Sequence, residues 1–172
     1  RTLTQEDILE FFESCDAFLE HDGDPKKPHA ELTSGLCSNG FFDCPRVLKY
    51  PKVCQVLAFQ IGEQARILGI DHVDWVIGSA YSAIAFSYEA AKFFGAKHGY
   101  VEKDPLDPKG KKMIWKKEPI GKNEAVLRIE ELITTSHTFC EATRAVQSAH
   151  QYPIKFLPVV GAIVHRPPNL LF

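Results

Sequence analysis

No run of apolar residues in this chain approaches the roughly 20 that a helix needs to cross a bilayer. The first residues also lack the charged-then-apolar order of a secretory signal. Both absences lead to the expectation of a soluble protein. Charge of one sign is missing too: 20 Lys and Arg stand against 22 Asp and Glu, a formal net charge of −2. So even a balance offers no global attraction to nucleic acid or to an anionic membrane, and neither is expected as a partner. Any site for a polyanion must be local. The five cysteines, Cys15, Cys37, Cys44, Cys54 and Cys140, include no C-x-x-C pair and are odd in number. A reduced, cytoplasmic compartment fits them better than a disulfide framework. The seven histidines show no metal-ligand spacing, and no internal repeat or low-complexity segment is present. What remains is a chain of 172 residues, 45% hydrophobic. That is enough for one sizeable core and too short for two ordinary ones, so a single domain is expected.

Thr4 followed by Asp7 reads as an acidic variant of a capping box, and Ile8, Leu9, Phe12, Cys15 and Leu19 then recur at helical spacing. The glycine and two prolines between His21 and Pro28 break that helix. A second helix is predicted from about Lys52 to Leu68, ended by Gly69. Beyond it, short apolar runs alternate with helical segments: Val73 to Ile77, a helix from Ser82 to Phe94, Lys97 to Val101, Ala125 to Ile129, a helix from His137 to His150, and Phe156 to Val164. This alternation is the signature of βαβ units around a mostly parallel sheet, an α/β fold. Residues 102–122 interrupt it with a polar stretch holding Lys103, Lys109, Lys111 and Lys112 and an apolar island at Met113 to Trp115. They read as a long loop or hairpin inserted in the α/β unit. In doubly wound folds ligands bind beyond the carboxyl ends of the strands, which directs attention to the residues after Ile77 and after Ile129.

After Ile129 come Glu130 and Glu131, two apolar residues, and then Thr134, Thr135, Ser136, His137 and Thr138 at the start of a helix. The amides and hydroxyls of such a turn, with a helix N-terminus behind them, favour a phosphate. Carboxylates just before it can accept hydrogen bonds from a sugar diol attached to that phosphate. The same residues also admit a plainer reading, with solvated loop acids and a threonine N-cap. Elsewhere the alternatives are similar. Gly78 to Ile84 is a small-residue turn between strand and helix, ordinary packing when taken alone. The run Thr33, Ser34, Gly35 to Phe41 and Phe42 is a glycine-rich turn before an edge strand whose aromatics can enter the core. The lysines of the insertion can be a solvated face. His137 and Cys140 can face one another on a helix, with capping and core roles preferred. The last strand ends in a cation, Arg166.

Taken together, these segments resemble the type I phosphoribosyltransferases, and among them the orotate phosphoribosyltransferases, over about Ala30 to Arg166. The run Val126 to Thr138 is similar to the family's phosphoribosyl pyrophosphate signature, an apolar strand, an acidic pair and a T-T-G-G-T-like loop. The resemblance implies a mostly parallel sheet flanked by helices (70–166), a small hood built from the N-terminal and C-terminal parts (1–50 included), and a mobile loop at 102–122. It implies that Glu130 and Glu131 hold the ribose hydroxyls, and that Thr134, Thr135, Ser136, His137 and Thr138 hold the 5′-phosphate. Ser79, Ala80, Tyr81 and Ser82 would take the pyrophosphate. Thr33, Phe41, Phe42, Thr134 and Arg166 would meet the base, orotate. Lys103 and Lys109 would be the catalytic cations, with Mg²⁺ bound mainly through the donor. A homodimer exchanging the loop between subunits is implied as well. Several positions depart from the family pattern: Glu131 where Asp is usual, Ser136 for a glycine, Ser82 for a lysine, Ala83 for a glycine, Glu102 for an arginine, Thr33 for a lysine and His165 for Asp. These departures keep two rival readings in view, a phosphoribosyltransferase for another base and a non-catalytic phosphoribosyl-pyrophosphate or nucleotide sensor.

Overall fold

The computed structural model describes residues 2–32, 35 and 37–166. Helix α1 (Gln5–Ser14) opens with the capping box that Thr4 and Asp7 predict: Thr4 Oγ1 accepts the Asp7 N–H at 3.1 Å, and Asp7 Oδ2 accepts the Thr4 N–H at 2.8 Å. The helix stops earlier than its apolar spacing suggests. The chain turns at Asp16, whose φ is 51°, and Leu19 falls on strand β1 (Phe18–Glu20) instead of on the helix. Strands β2 (Ala30–Glu31), β3 (Cys37–Ser38) and β4 (Gly40–Phe42) follow. β1 pairs antiparallel with β4 and β2 with β3, giving two small ribbons. Helix α2 (Cys44–Leu48) is a short turn that the apolar pattern does not announce, and α3 (Pro51–Ile67) runs as expected. Both carry proline in the first turn, where its missing N–H costs no helical bond. Gly69, at φ 80°, takes the chain out of α3.

The second part alternates as read from the sequence: β5 (Trp75–Gly78), α4 (Ala83–Phe94), β6 (Lys97–Tyr100), β7 (Glu102–Lys103), β8 (Met113–Ile114), β9 (Ala125–Ile133), α5 (His137–Ser148) and β10 (Lys155–His165). Four of these strands form one sheet in the order β10-β9-β5-β6, every neighbouring pair parallel. β7 and β8 form a separate antiparallel hairpin. The period of two in the central strands divides the core. Val76, Leu127 and Ile129 join Phe12, Val47, Leu57 and Phe86 on one side, where α3 and α4 pack. Trp75, Ile77 and Val126 join Trp115, Ala142 and Val146 on the other, under α5. At the edge of the sheet, β10 loses its register between Phe156 and Val160. Pro158 lies in that interval and supplies no N–H to the ladder, so the irregularity sits where an edge strand tolerates it.

Register decides what meets at the carboxyl end of the sheet. Gly78 of β5 stands opposite Ile129 of β9 and opposite Tyr100 of β6. The residues that follow, Ser79, Glu130 and the Glu102–Lys103 pair, therefore emerge side by side.

Candidate functional site

Ser79 and Glu130 are both 4% exposed, and the Ser79 hydroxyl donates to Glu130 Oε1. Burial pushes the Glu130 carboxyl up to about 7. The Ser79 bond opposes that rise, the charge of Glu131 adds to it, and Lys103 is close enough to lower it. Glu131, next along β9, is also raised by burial, with its backbone hydrogen bond and the Ser82 side chain pulling the other way. Both acids are thus met by serines of one loop, the four residues 79–82. The Ala80–Tyr81 peptide in that loop is cis. On the other side of the pair, Cys44 Sγ donates to the Glu131 carbonyl at 3.7 Å. Burial pushes its thiol up to about 12, which makes it a packing group and not a nucleophile.

Past Ile133 the chain enters the hydroxyl loop. Ser136 is the N-cap of α5 with φ 60° and ψ 8°, the left-handed region, and its carbonyl accepts the first helical bond, from the Cys140 N–H at 2.9 Å. A serine avoids strain here only at negative φ, so the observed turn carries a cost that glycine would not. Thr134, Thr135, Ser136, His137 and Thr138 line one small recess of about 30 Å³ together with Glu130. Carboxylate and helix N-terminus therefore share a wall, as the spacing predicts. The first N–H groups of α5 have no acceptor within the helix and are available to an anion.

The other candidates are distributed around this centre. Lys103 lies on β7, half-buried, opposite Met113 of β8. Lys109 sits at the exposed far end of the hairpin. There Asp107 organises the turn, accepting the N–H groups of Lys109 at 3.1 Å and of Lys111 and Lys112 at 2.7 Å each. Lys112 in turn pairs with Asp104 at 2.9 Å. Arg166 follows β10, its N–H bonded to the Ile133 carbonyl at 2.9 Å beside the start of the hydroxyl loop. Its Nη1 donates to the Gly40 carbonyl at 3.0 Å and, at 3.5 Å, to Ser38 Oγ. That contact joins the last strand to the N-terminal ribbons. Phe41 is 38% exposed on β4, whereas the Phe42 ring is held between Phe12 and Phe18, with centroids 5.2 and 4.7 Å away. Tyr81 is 69% exposed and turns to a different recess, shared with Leu48, Pro51, Ile84, Tyr88 and Tyr100. Thr33 lies outside the described residues.

Two contributors escaped the sequence reading. Asp107 is one acid among several in a polar stretch, and no spacing rule singles it out. Arg128, by contrast, left a signal: a cation inside the apolar run Val126 to Ile129. Its guanidinium is stacked between Phe139 of α5 and Phe156 of β10, at 4.6 and 4.8 Å. It donates to the Leu157 carbonyl at 2.9 Å and to Thr143 Oγ1 at 3.3 Å. Such a clamp fastens the first turns of α5, which carry the anion-binding amides, to the sheet.

With this geometry in hand, comparison with known proteins is informative. No protein-family model matches the chain. The orotate phosphoribosyltransferase of Desulforamulus reducens is 31% identical over 150 residues, covering 85% of this chain and 69% of that protein. That of Chlorobaculum parvum is 32% identical over 147 residues, covering 86% and 69%. Among solved structures, the orotate phosphoribosyltransferase from Aeropyrum pernix superposes with a TM-score of 0.66 at 16% identity, over 92% of this chain and 93% of that one. At that identity the likeness speaks for the fold alone.

Proposed function

The chain belongs to the orotate phosphoribosyltransferase family, and from that membership we propose that it is a pentosyltransferase joining the phosphoribosyl group of phosphoribosyl pyrophosphate to orotate. In this reaction the bond from ribose C1 to the pyrophosphate oxygen breaks, pyrophosphate leaves with the electron pair, and a bond forms from C1 to a ring nitrogen of orotate, which gives up its proton to solvent. Positive charge grows on the sugar as the leaving group departs. The protein performs little covalent work in such a step; it holds donor and base in line and stabilises the departing anion.

The observation that carries this reading is the recess in which Glu130 and residues Thr134 to Thr138 meet. The 5′-phosphate lies against the amides and hydroxyls at the start of α5, and the ribose hydroxyls donate to Glu130 and Glu131. Lys103, placed near Glu130, faces the pyrophosphate. Arg166, between the last strand and the ribbons, meets the orotate carboxylate with the Thr134 hydroxyl beside it, a pairing that suits a planar guanidinium. Among the described residues no three His, Cys, Asp or Glu side chains gather into a metal cage, and both acids are engaged by serines. A Mg²⁺ bound mainly through the donor would supply positive charge to the departing pyrophosphate.

The proposal extends to the assembly. Residues 1–172 act as one domain with a mobile hairpin, and two copies pair through the apolar recess around Tyr81 and Tyr88, which opens beside the 79–82 loop. Each hairpin then reaches the partner's site. Among the described residues no helix is long and apolar enough to cross a membrane. The five cysteines, all free, suit a reducing cytoplasm.

The test is transfer itself. With phosphoribosyl pyrophosphate and Mg²⁺, the protein converts orotate in preference to uracil, hypoxanthine and adenine, and Glu130→Ala with Glu131→Ala abolishes calorimetric donor binding. Turnover of a purine or uracil but not orotate overturns the substrate. Donor binding without turnover of any base leaves a sensor instead of an enzyme.

A further inference from the structure

Two departures from the family pattern, Ser82 and Glu131, meet in space. The loop that has Ser82 where a lysine is usual lies against the acid pair, with Ser79 bonded to the Glu130 carboxyl and Ser82 close to that of Glu131. In a phosphate-binding loop a hydroxyl is expected to face the anion. Here the Ser79 hydroxyl is 4% exposed and committed to a carboxylate on the neighbouring strand.

We propose that Ser79 is a positioning residue that orients Glu130 for the donor's ribose hydroxyls and favours its ionised form, so that donor binding is coupled to loss of the proton from that fraction of Glu130 that still carries it. This rests on the phosphoribosyltransferase reading and deepens it. A carboxyl that accepts hydrogen bonds from a diol must present lone pairs, and a proton on it removes an acceptor and adds a competing donor. At the buried end of β5 and β9, water is not at hand to stabilise the anion, so the hydroxyl of Ser79 does so. The carboxyl proton leaves to solvent as the donor enters, and no covalent bond changes. The charged and titratable groups that face Glu130 are Glu131 from the same strand, Lys103 from β7 and His137 from the loop that shares its recess. Glu131 holds the proton on and Lys103 drives it off. The free carboxyl sits at about 7, so the coupling falls within the physiological range.

Affinity for phosphoribosyl pyrophosphate in wild type should therefore rise by about tenfold between pH 6 and pH 8 from this group alone, above the donor's own titration. The experiment is calorimetry of donor and Mg²⁺ over that range, in two buffers of different ionisation enthalpy, on wild type, Ser79→Ala and Glu130→Gln. In Ser79→Ala the midpoint of the pH dependence should move up by roughly half to one unit. In Glu130→Gln the proton release should vanish. A residue with only a packing role lowers affinity equally at every pH, and an unchanged midpoint in Ser79→Ala overturns the proposal. Where Glu130→Gln binds too weakly to measure, carboxyl-carbon NMR of the ligand-free protein follows Glu130 directly. Equal Glu130 titrations in wild type and Ser79→Ala overturn the proposal whether or not donor binds. Absence of donor binding with a shifted Glu130 titration instead strikes at the phosphoribosyltransferase reading alone.

Discussion

At Ser136 the backbone turns with φ 60° and ψ 8°, a conformation that costs an L-residue about 1–2 kcal/mol. Replacing it by glycine removes that cost but adds the extra chain entropy of glycine, about 0.5–1 kcal/mol. Ser136→Gly should accordingly stabilise the free protein by roughly 0.5–1 kcal/mol. Urea denaturation checks it: the midpoint should rise with an unchanged slope, and a lower midpoint would mean that the serine hydroxyl contributes more than the turn costs. The serine is the kind of departure that a sequence displays and cannot evaluate, because the sign of φ is fixed by the loop around it. Glu130 teaches the same lesson. Its identity was legible from the acid pair, but burial pushes its carboxyl up to about 7 against the opposing hydrogen bond of a serine 51 positions away.

The 102–115 hairpin combines a fixed base with a self-contained tip. Met113 and Trp115 are 4% and 9% exposed, and Trp115 meets Trp75 edge-on at 6.0 Å. A Cβ on Gly99 would lie 2.4 Å from the Trp115 ring, so that glycine permits the base of the hairpin to lie flat on β6. Beyond Asp104 the described bonds of the turn are to Asp107 and Asp104, within the hairpin itself. An element built this way can swing its tip without unfolding. Lys103 stands at the junction, close to Glu130. If that cation meets charge that develops only as pyrophosphate leaves, Lys103→Ala should lower turnover by roughly 10–100-fold while donor affinity, measured well above the pKa of Glu130, changes little. Steady-state kinetics beside calorimetric donor affinity separate the two. Equal turnover in mutant and wild type would return the hairpin to a solvated loop.

On the scale of the molecule, α4 presents Tyr88, 54% exposed, beside Tyr81 at the mouth of an apolar recess. If a second copy covers this face, Tyr88→Arg places a charge in a desolvated contact and should shift the sedimentation coefficient from dimer to monomer at micromolar concentration. A dimer as stable as wild type would remove this face from the interface. Local pattern alone was enough for the αβ alternation, the capping box at Thr4, the stop at Gly69 and the acid–hydroxyl motif, since each is specified by residues within a turn or two of one another. It misjudged the end of α1, because Cys15 and Leu19 keep helical spacing while Leu19 is drawn across to Phe41 of β4. It gave no notice that Ser79 and Ser82 would face the acid pair, or that Arg128 would be clamped between Phe139 and Phe156. The sequence by itself determined the order in which strands and helices alternate and, through the family motif, what chemistry their junctions suit. But it ended β9 at Ile129, whereas the strand runs to Ile133 and carries Glu130 and Glu131 within it. Only the tertiary structure decided which strand ends lie side by side, because the register of Gly78 on Ile129 is set by packing on both faces of the sheet and not by any neighbour along the chain.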